Sequence, residues 1–131
     1  MTRPDGRVAT AAVFVLTVAA CTANMRSRIA DGHAHLAWEP IAVPADATDV
    51  RYEVEIHKAE QGLPTASVRL VPRLEQREFD AGHLPAGDYV WSVRARYWRR
   101  DHEWVTRWLT LPNTPAVALE PQRGFCPLTI D

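Results

Sequence analysis

From about residue 33 onward, apolar and polar side chains alternate with a period of two. A strand sends successive side chains to opposite faces, so a sheet with one buried face leaves this signature. His33–Glu39 sets Leu36 and Trp38 on one parity. In Val50–Lys58, Tyr52, Val54 and Ile56 face one way, and Arg51, Glu53, Glu55 and His57 the other. Ser67–Val71, between Pro64 and Pro72, and Arg77–Asp80 are two short candidates. Asp88–Arg99 puts Tyr89, Trp91, Val93, Ala95 and Tyr97 on one face, with Ser92, Arg94 and Arg96 on the other. Glu103–Leu111 closes the set before Pro112. Gln61-Gly62-Leu63-Pro64 and Leu84-Pro85-Ala86-Gly87-Asp88 read as turns, since glycine permits positive φ and proline presets direction. Short strands punctuated in this way predict an all-β antiparallel sandwich or barrel. Its expected core is Trp38, Tyr52, Val54, Ile56, Val68, Leu70, Leu84, Tyr89, Trp91, Val93, Leu109 and Leu111. Each large buried side chain contributes roughly 1.5–3 kcal/mol, so this set is adequate without a disulfide.

The first twenty residues follow another pattern. Arg3 and Arg7 flank the start, Val8–Ala20 is apolar apart from Thr10 and Thr17, and polar residues follow Cys21. The apolar run is about 13 residues where a spanning helix needs about 20, so it reads as an N-terminal signal helix. Val18-Ala19-Ala20-Cys21 resembles the bacterial lipobox: an aliphatic residue, two small ones, then the cysteine whose thiol takes the lipid. That resemblance implies cleavage before Cys21 and acyl chains such as palmitate on it. Several chains together anchor a protein firmly. It also implies an exported protein of the bacterial cell envelope, held at the outer membrane if the source is Gram-negative.

In the strand region, Leu84-Pro85-Ala86-Gly87-Asp88-Tyr89 followed by Val90-Trp91-Ser92-Val93-Arg94-Ala95 resembles the most recognisable segment of a fibronectin type III domain. Tyr52-Glu53-Val54-Glu55-Ile56 is similar to an earlier strand of that fold, and Trp38 falls on the strand before it. The resemblance implies an immunoglobulin-like sandwich in which Leu84 plugs the core, Gly87 turns the chain, and the Tyr89 hydroxyl bonds back to nearby backbone. The expected organisation is a signal peptide at 1–20, a tether with a short first strand at 21–32, the sandwich at 33–111 and a proline-rich tail at 112–131. Val117-Ala118-Leu119 could add a short strand in that tail, and Phe125 would dock it on the body.

The chain has 131 residues, room for one such domain. Its formal net charge of -1 removes the usual electrostatic case for nucleic acid. No Gly-x-Ser-x-Gly or phosphate-binding loop occurs, and Glu53 and Glu55 share a flat strand face rather than a cleft, so no enzyme activity and no cofactor are expected. His33-x-His35 would make a metal pair, but zinc takes three or four ligands and only Asp31 lies near, so no metal site is expected. Cys126 has three readings: a thiol in the tail, a disulfide to another molecule, or a bridge to Cys21.

Two features could form a surface with a purpose. Glu53 and Glu55 should lie beside Arg94 and Arg96 as a solvated charge ladder. Trp104 and Trp108 share a parity opposite Val105, Leu109 and Leu111, which turns both outward next to those arginines. Stacked tryptophans and arginines of this kind resemble the ladders on fibronectin modules of some cytokine receptors, where they are mainly structural. The candidate binding surface is Trp98, Arg99, Arg100, Trp104 and Trp108. It would contact an envelope protein or, in the alternative, stack on a glycan.

Overall fold

The computed structural model describes residues 17–22, 24–109 and 123–131. Of the signal helix expected over 1–20, residues 1–16 lie outside the described residues, as do the Val117–Leu119 strand and Leu111; its last four, Thr17–Ala20, are not helical but belong to a strand paired with the next one. The described chain is all β: β1 (Thr17–Thr22), β2 (Met25–Ala30), β3 (His33–Trp38), β4 (Thr48–Glu60), β5 (Leu63–Leu74), β6 (Glu78–His83), β7 (Gly87–Arg99), β8 (His102–Val105) and β9 (Cys126–Ile130). Two antiparallel sheets form a sandwich. One runs β1-β2-β3-β6; the other runs β5-β4-β7, with β8 and β9 both paired to β7.

The period-two alternation does what it predicts. Val54 and Ile56 of β4 and Tyr89, Trp91 and Val93 of β7 meet Met25, Ala34, Leu36 and Trp38 of the opposing sheet. Trp38 is central, with Tyr52 edge-on at 5.7 Å and Trp91 at 6.1 Å. Leu84 packs against this cluster, and the Tyr89 hydroxyl donates to the Pro85 carbonyl at 2.6 Å, holding the crossover into β7. β2 occupies the span where a short first strand was expected.

Hairpin geometry fixes the registers. Asp31-Gly32 joins β2 to β3, Gln61-Gly62 joins β4 to β5, and Arg100-Asp101 joins β7 to β8. All six residues have positive φ, as a two-residue type I′ turn requires. Gly32 and Gly62 meet that demand without strain. Arg100 and Asp101 meet it without a glycine, which costs on the order of 1–3 kcal/mol for each such residue.

Two core expectations are overturned. Val68 and Leu70 are 42% and 53% exposed. β5 is the edge of its sheet, and Leu70 sits opposite Glu55, on the face that points away from the core. β5 also runs the full length from Leu63 to Leu74, well beyond Ser67–Val71. The last strand is shorter than expected, because β8 ends at Val105. Its place along β7 is completed by β9, whose Cys126, Leu128 and Ile130 enter the core. The tail is therefore partly a strand.

Candidate functional site

The outer face of the β4–β7 pair carries a charged and aromatic network. Register sets Glu53 against Arg94 and Glu55 against Ser92. Arg94 Nε donates to one Glu53 oxygen at 2.6 Å, and Arg96 Nε to the other at 2.7 Å. The charge pairing expected from the sequence is present, but it is not a solvated ladder: Glu53 is 1% exposed. Arg123 follows the segment 110–122 and lies across the strands. It donates to Glu55 at 2.6 Å and to Ser92 Oγ at 2.8 Å. Its guanidinium sits 3.7 Å from the Trp108 ring centre, with Arg94 at 4.3 Å from the same ring. Phe125 continues the stack, 4.8 Å from Arg123. Guanidinium–indole stacking strengthens as water is excluded.

This cover explains why both faces of β7 are buried, Val90 and Ser92 included. Sequence reasoning found Arg94 and Trp108 but not Arg123, whose distance along the chain hides it. The β9 residues carried a usable signal, the alternation of Cys126, Leu128 and Ile130.

Glu55 shows how the network is balanced. Burial pushes its carboxyl up, but hydrogen bonds from Arg123 and Ser67, with the charges of His57 and Arg123, outweigh this and hold it below the usual range. A depressed folded value stabilises the fold fully above the unfolded value, about 4.3, and the gain is lost as pH falls through the folded value. Glu103, bonded by Arg73, and Asp80, bonded by the Gly82 amide, are lowered in the same direction. Urea unfolding measured between pH 6 and 3 should therefore show falling stability on acidification. Arg123→Met should flatten that dependence, and an unchanged slope would disprove the coupling.

The sequence-selected surface residues divide into two groups. Trp98, Arg99, Arg100 and Trp104 gather at the β7–β8 hairpin. Trp98 is 40% exposed and Trp104 50%. Arg99 pairs with Asp46, and Trp104 Nε1 donates to the Arg99 carbonyl at 3.3 Å. Trp108 stands apart, held between two guanidinia. The expectation that Trp104 and Trp108 share a face is corrected by one extra residue. The Thr106 amide donates to the Ala95 carbonyl and the Leu109 amide to the Val93 carbonyl. Three residues thus advance against two on β7, and such a bulge reverses parity. Trp104 lies opposite Tyr97, on the core-facing parity beyond the core, whereas Trp108 reaches the outer face.

His33 and His35 find separate partners. His33 packs on His83, ring centres 3.9 Å apart, while His35 bonds Glu78 at 3.0 Å. Among the described residues no group of three His, Cys, Asp or Glu is arranged to hold a metal ion. A polar cleft of about 760 Å³ opens on the other sheet, lined by the carboxylates Glu39, Glu75 and Glu78, of which Glu39 is bonded to Arg26 and Glu78 to His35. No helix among the described residues is long and apolar enough to cross a membrane. No protein-family model, no curated protein and no solved structure matches the chain.

Proposed function

We propose that this chain is a noncatalytic interaction module of a bacterial cell envelope, with a fibronectin type III-like body. The strand order supports the resemblance: β2-β3-β6 faces β5-β4-β7, and the final strand is split into β8 and β9. So does the Tyr89 bond to Pro85. The observation that carries the functional reading is the β7–β8 hairpin. It presents Trp98 and Val105 on its outer face and Trp104 on the other, each at least 40% exposed, beside Arg100 on a strained turn. Exposed aromatics beside arginine are the composition of contact surfaces between proteins. Trp108 and the arginines around it serve to clamp the tail.

The test is capture of an envelope protein by crosslinking in cells. Trp104→Ala should abolish capture while changing stability by less than about 0.5 kcal/mol, as exposed positions do. Capture that survives this change would sink the reading. Quenching of tryptophan fluorescence by soluble polysaccharides would favour a glycan partner instead.

The lipid tether rests on Val18-Ala19-Ala20-Cys21. A competing fate exists for that thiol: Cys126 is disulfide-bonded, and Cys21 is the other cysteine of the sequence. One sulfur cannot hold both bonds. Cleavage before Cys21 would also remove Thr17–Ala20 from β1. Intact mass of protein extracted from membranes, beside a Cys21→Ala variant, separates the two. Acyl mass on a chain beginning at residue 21 supports the tether; an unacylated, oxidised chain overturns it.

A further inference from the structure

We infer that the polar cleft on the outer face of the β2-β3-β6 sheet is a binding site for a short, uncharged saccharide. This does not rest on the hairpin reading or on the tether. Ala37 of β3 makes the floor. Its cross-strand neighbours are Arg26 of β2 and Glu78 of β6, and a methyl group between two long side chains leaves a depression. The segment from β5 into β6, Glu75-Gln76-Arg77, forms the rim. The Trp38 amide donates to the Arg77 carbonyl at 3.1 Å and ties that rim to β3. The cleft holds about 760 Å³, within the roughly 300–1,000 Å³ of small-molecule sites.

The walls select the ligand. The cleft is lined by three arginines, Arg26, Arg28 and Arg77, and three glutamates, Glu39, Glu75 and Glu78. A carboxylate or phosphate drawn to the arginines meets the glutamates, and a cation meets the reverse. An apolar ligand would strip water from these charges without replacing its hydrogen bonds. An uncharged molecule rich in hydroxyls avoids all three penalties, because each hydroxyl donates once and accepts twice. Two wall pairs are preset: Arg26 Nη1 donates to Glu39 at 3.0 Å, and His35 Nε2 lies 3.0 Å from Glu78. Each holds a nitrogen beside a carboxylate oxygen, an arrangement that matches adjacent hydroxyls on a sugar ring. Arg28 lies across from His35 and, like Arg77 and Glu75, enters no ion pair among the described residues. Trp38 lines the cleft from the core side, and its Nε1–H is buried without a hydrogen-bond partner among the described residues. A buried donor left unmatched is costly, and a sugar oxygen brought to it supplies the acceptor.

Titration of the intact purified chain with glucose, galactose, mannose, N-acetylglucosamine, maltose and cellobiose, followed by heteronuclear NMR, tests this. At least one sugar should bind with a millimolar dissociation constant or tighter. It should shift the Trp38 indole N–H signal, assigned by its loss in Trp38→Phe. Ala37→Met fills the floor from an outward-facing position and should abolish binding. Arg28→Ala and Arg77→Ala should each weaken it about tenfold, the loss of one hydrogen bond to a charged group. Trp104→Ala should leave it unchanged, which separates this site from a glycan stacked on the hairpin. No sugar bound at tens of millimolar, or binding indifferent to Ala37→Met, would each overturn the inference. So would binding of glucuronate or glycylglycine with none of the uncharged sugars, because the cleft would then select charge.

Discussion

Replacing Glu53 with leucine is expected to lower the unfolding free energy by about 3 kcal/mol, because it leaves two guanidinia facing an apolar side chain with no counter-charge. Removing one partner of a buried ion pair costs about 3–5 kcal/mol, since the remaining charge loses its compensation. Glu53 is fully covered, and Arg94 and Arg96 are each about one quarter exposed. The lower part of that range applies. Arg94 keeps its stack on Trp108, and Arg96 can still reach Glu103 at 3.5 Å. Arg94→Leu alone should cost less, because Glu53 retains Arg96. Replacing all three with leucine should recover much of the loss, since an apolar trio needs no charge compensation. Urea unfolding midpoints of the four proteins decide it. If Glu53→Leu shifts stability by less than about 0.5 kcal/mol, as an exposed residue would, the network does not hold the face.

How much of this was visible in the sequence depends on how local the determining interaction is. β4 and β7 are legible because each turns its large apolar residues to one side, so alternation alone places Val54, Ile56, Tyr89, Trp91 and Val93 in the core. The pairing of Glu53 with Arg94 follows from the same parity once the two strands are neighbours. Alternation says nothing of a strand's position in its sheet, so Val68 and Leu70 look like core residues and are not. It also fails at a bulge: the single extra residue between Thr106 and Leu109 sends Trp104 and Trp108 to opposite sides. The hairpin cluster of Trp98, Arg99, Arg100 and Trp104 is legible because all four are close in the chain. The clamp is not, because Arg123 acts 31 residues away on Ser92 and 68 away on Glu55. Glu53 is buried although its residue type points to solvent, because Arg94 and Arg96 of the neighbouring strand each bond one of its oxygens.

Trp91→Ala is the largest core loss expected, about 4 kcal/mol, within the range for emptying a buried aromatic site. Trp91 is fully buried between the sheets, tilted on Trp38. Two effects combine in that number, and Trp91→Phe separates them. Trp91 Nε1 donates to Ser27 Oγ at 2.9 Å, and Ser27 is itself buried, 3.6 Å from Cys126 Sγ. Phenylalanine keeps most of the apolar contact and gives up the donor. Ser27→Ala keeps Trp91 and removes its acceptor, leaving a buried indole N–H unmatched, which costs about 1–3 kcal/mol. Combined with Trp91→Phe, Ser27→Ala should cost almost nothing further, because no donor remains to be orphaned. A double-mutant cycle followed by urea unfolding reads this as a coupling of about 1 kcal/mol or more. Strict additivity would mean that the bond does not link the sheets. The tryptophan would then be held by packing alone, and the polar pair beneath it would need another explanation.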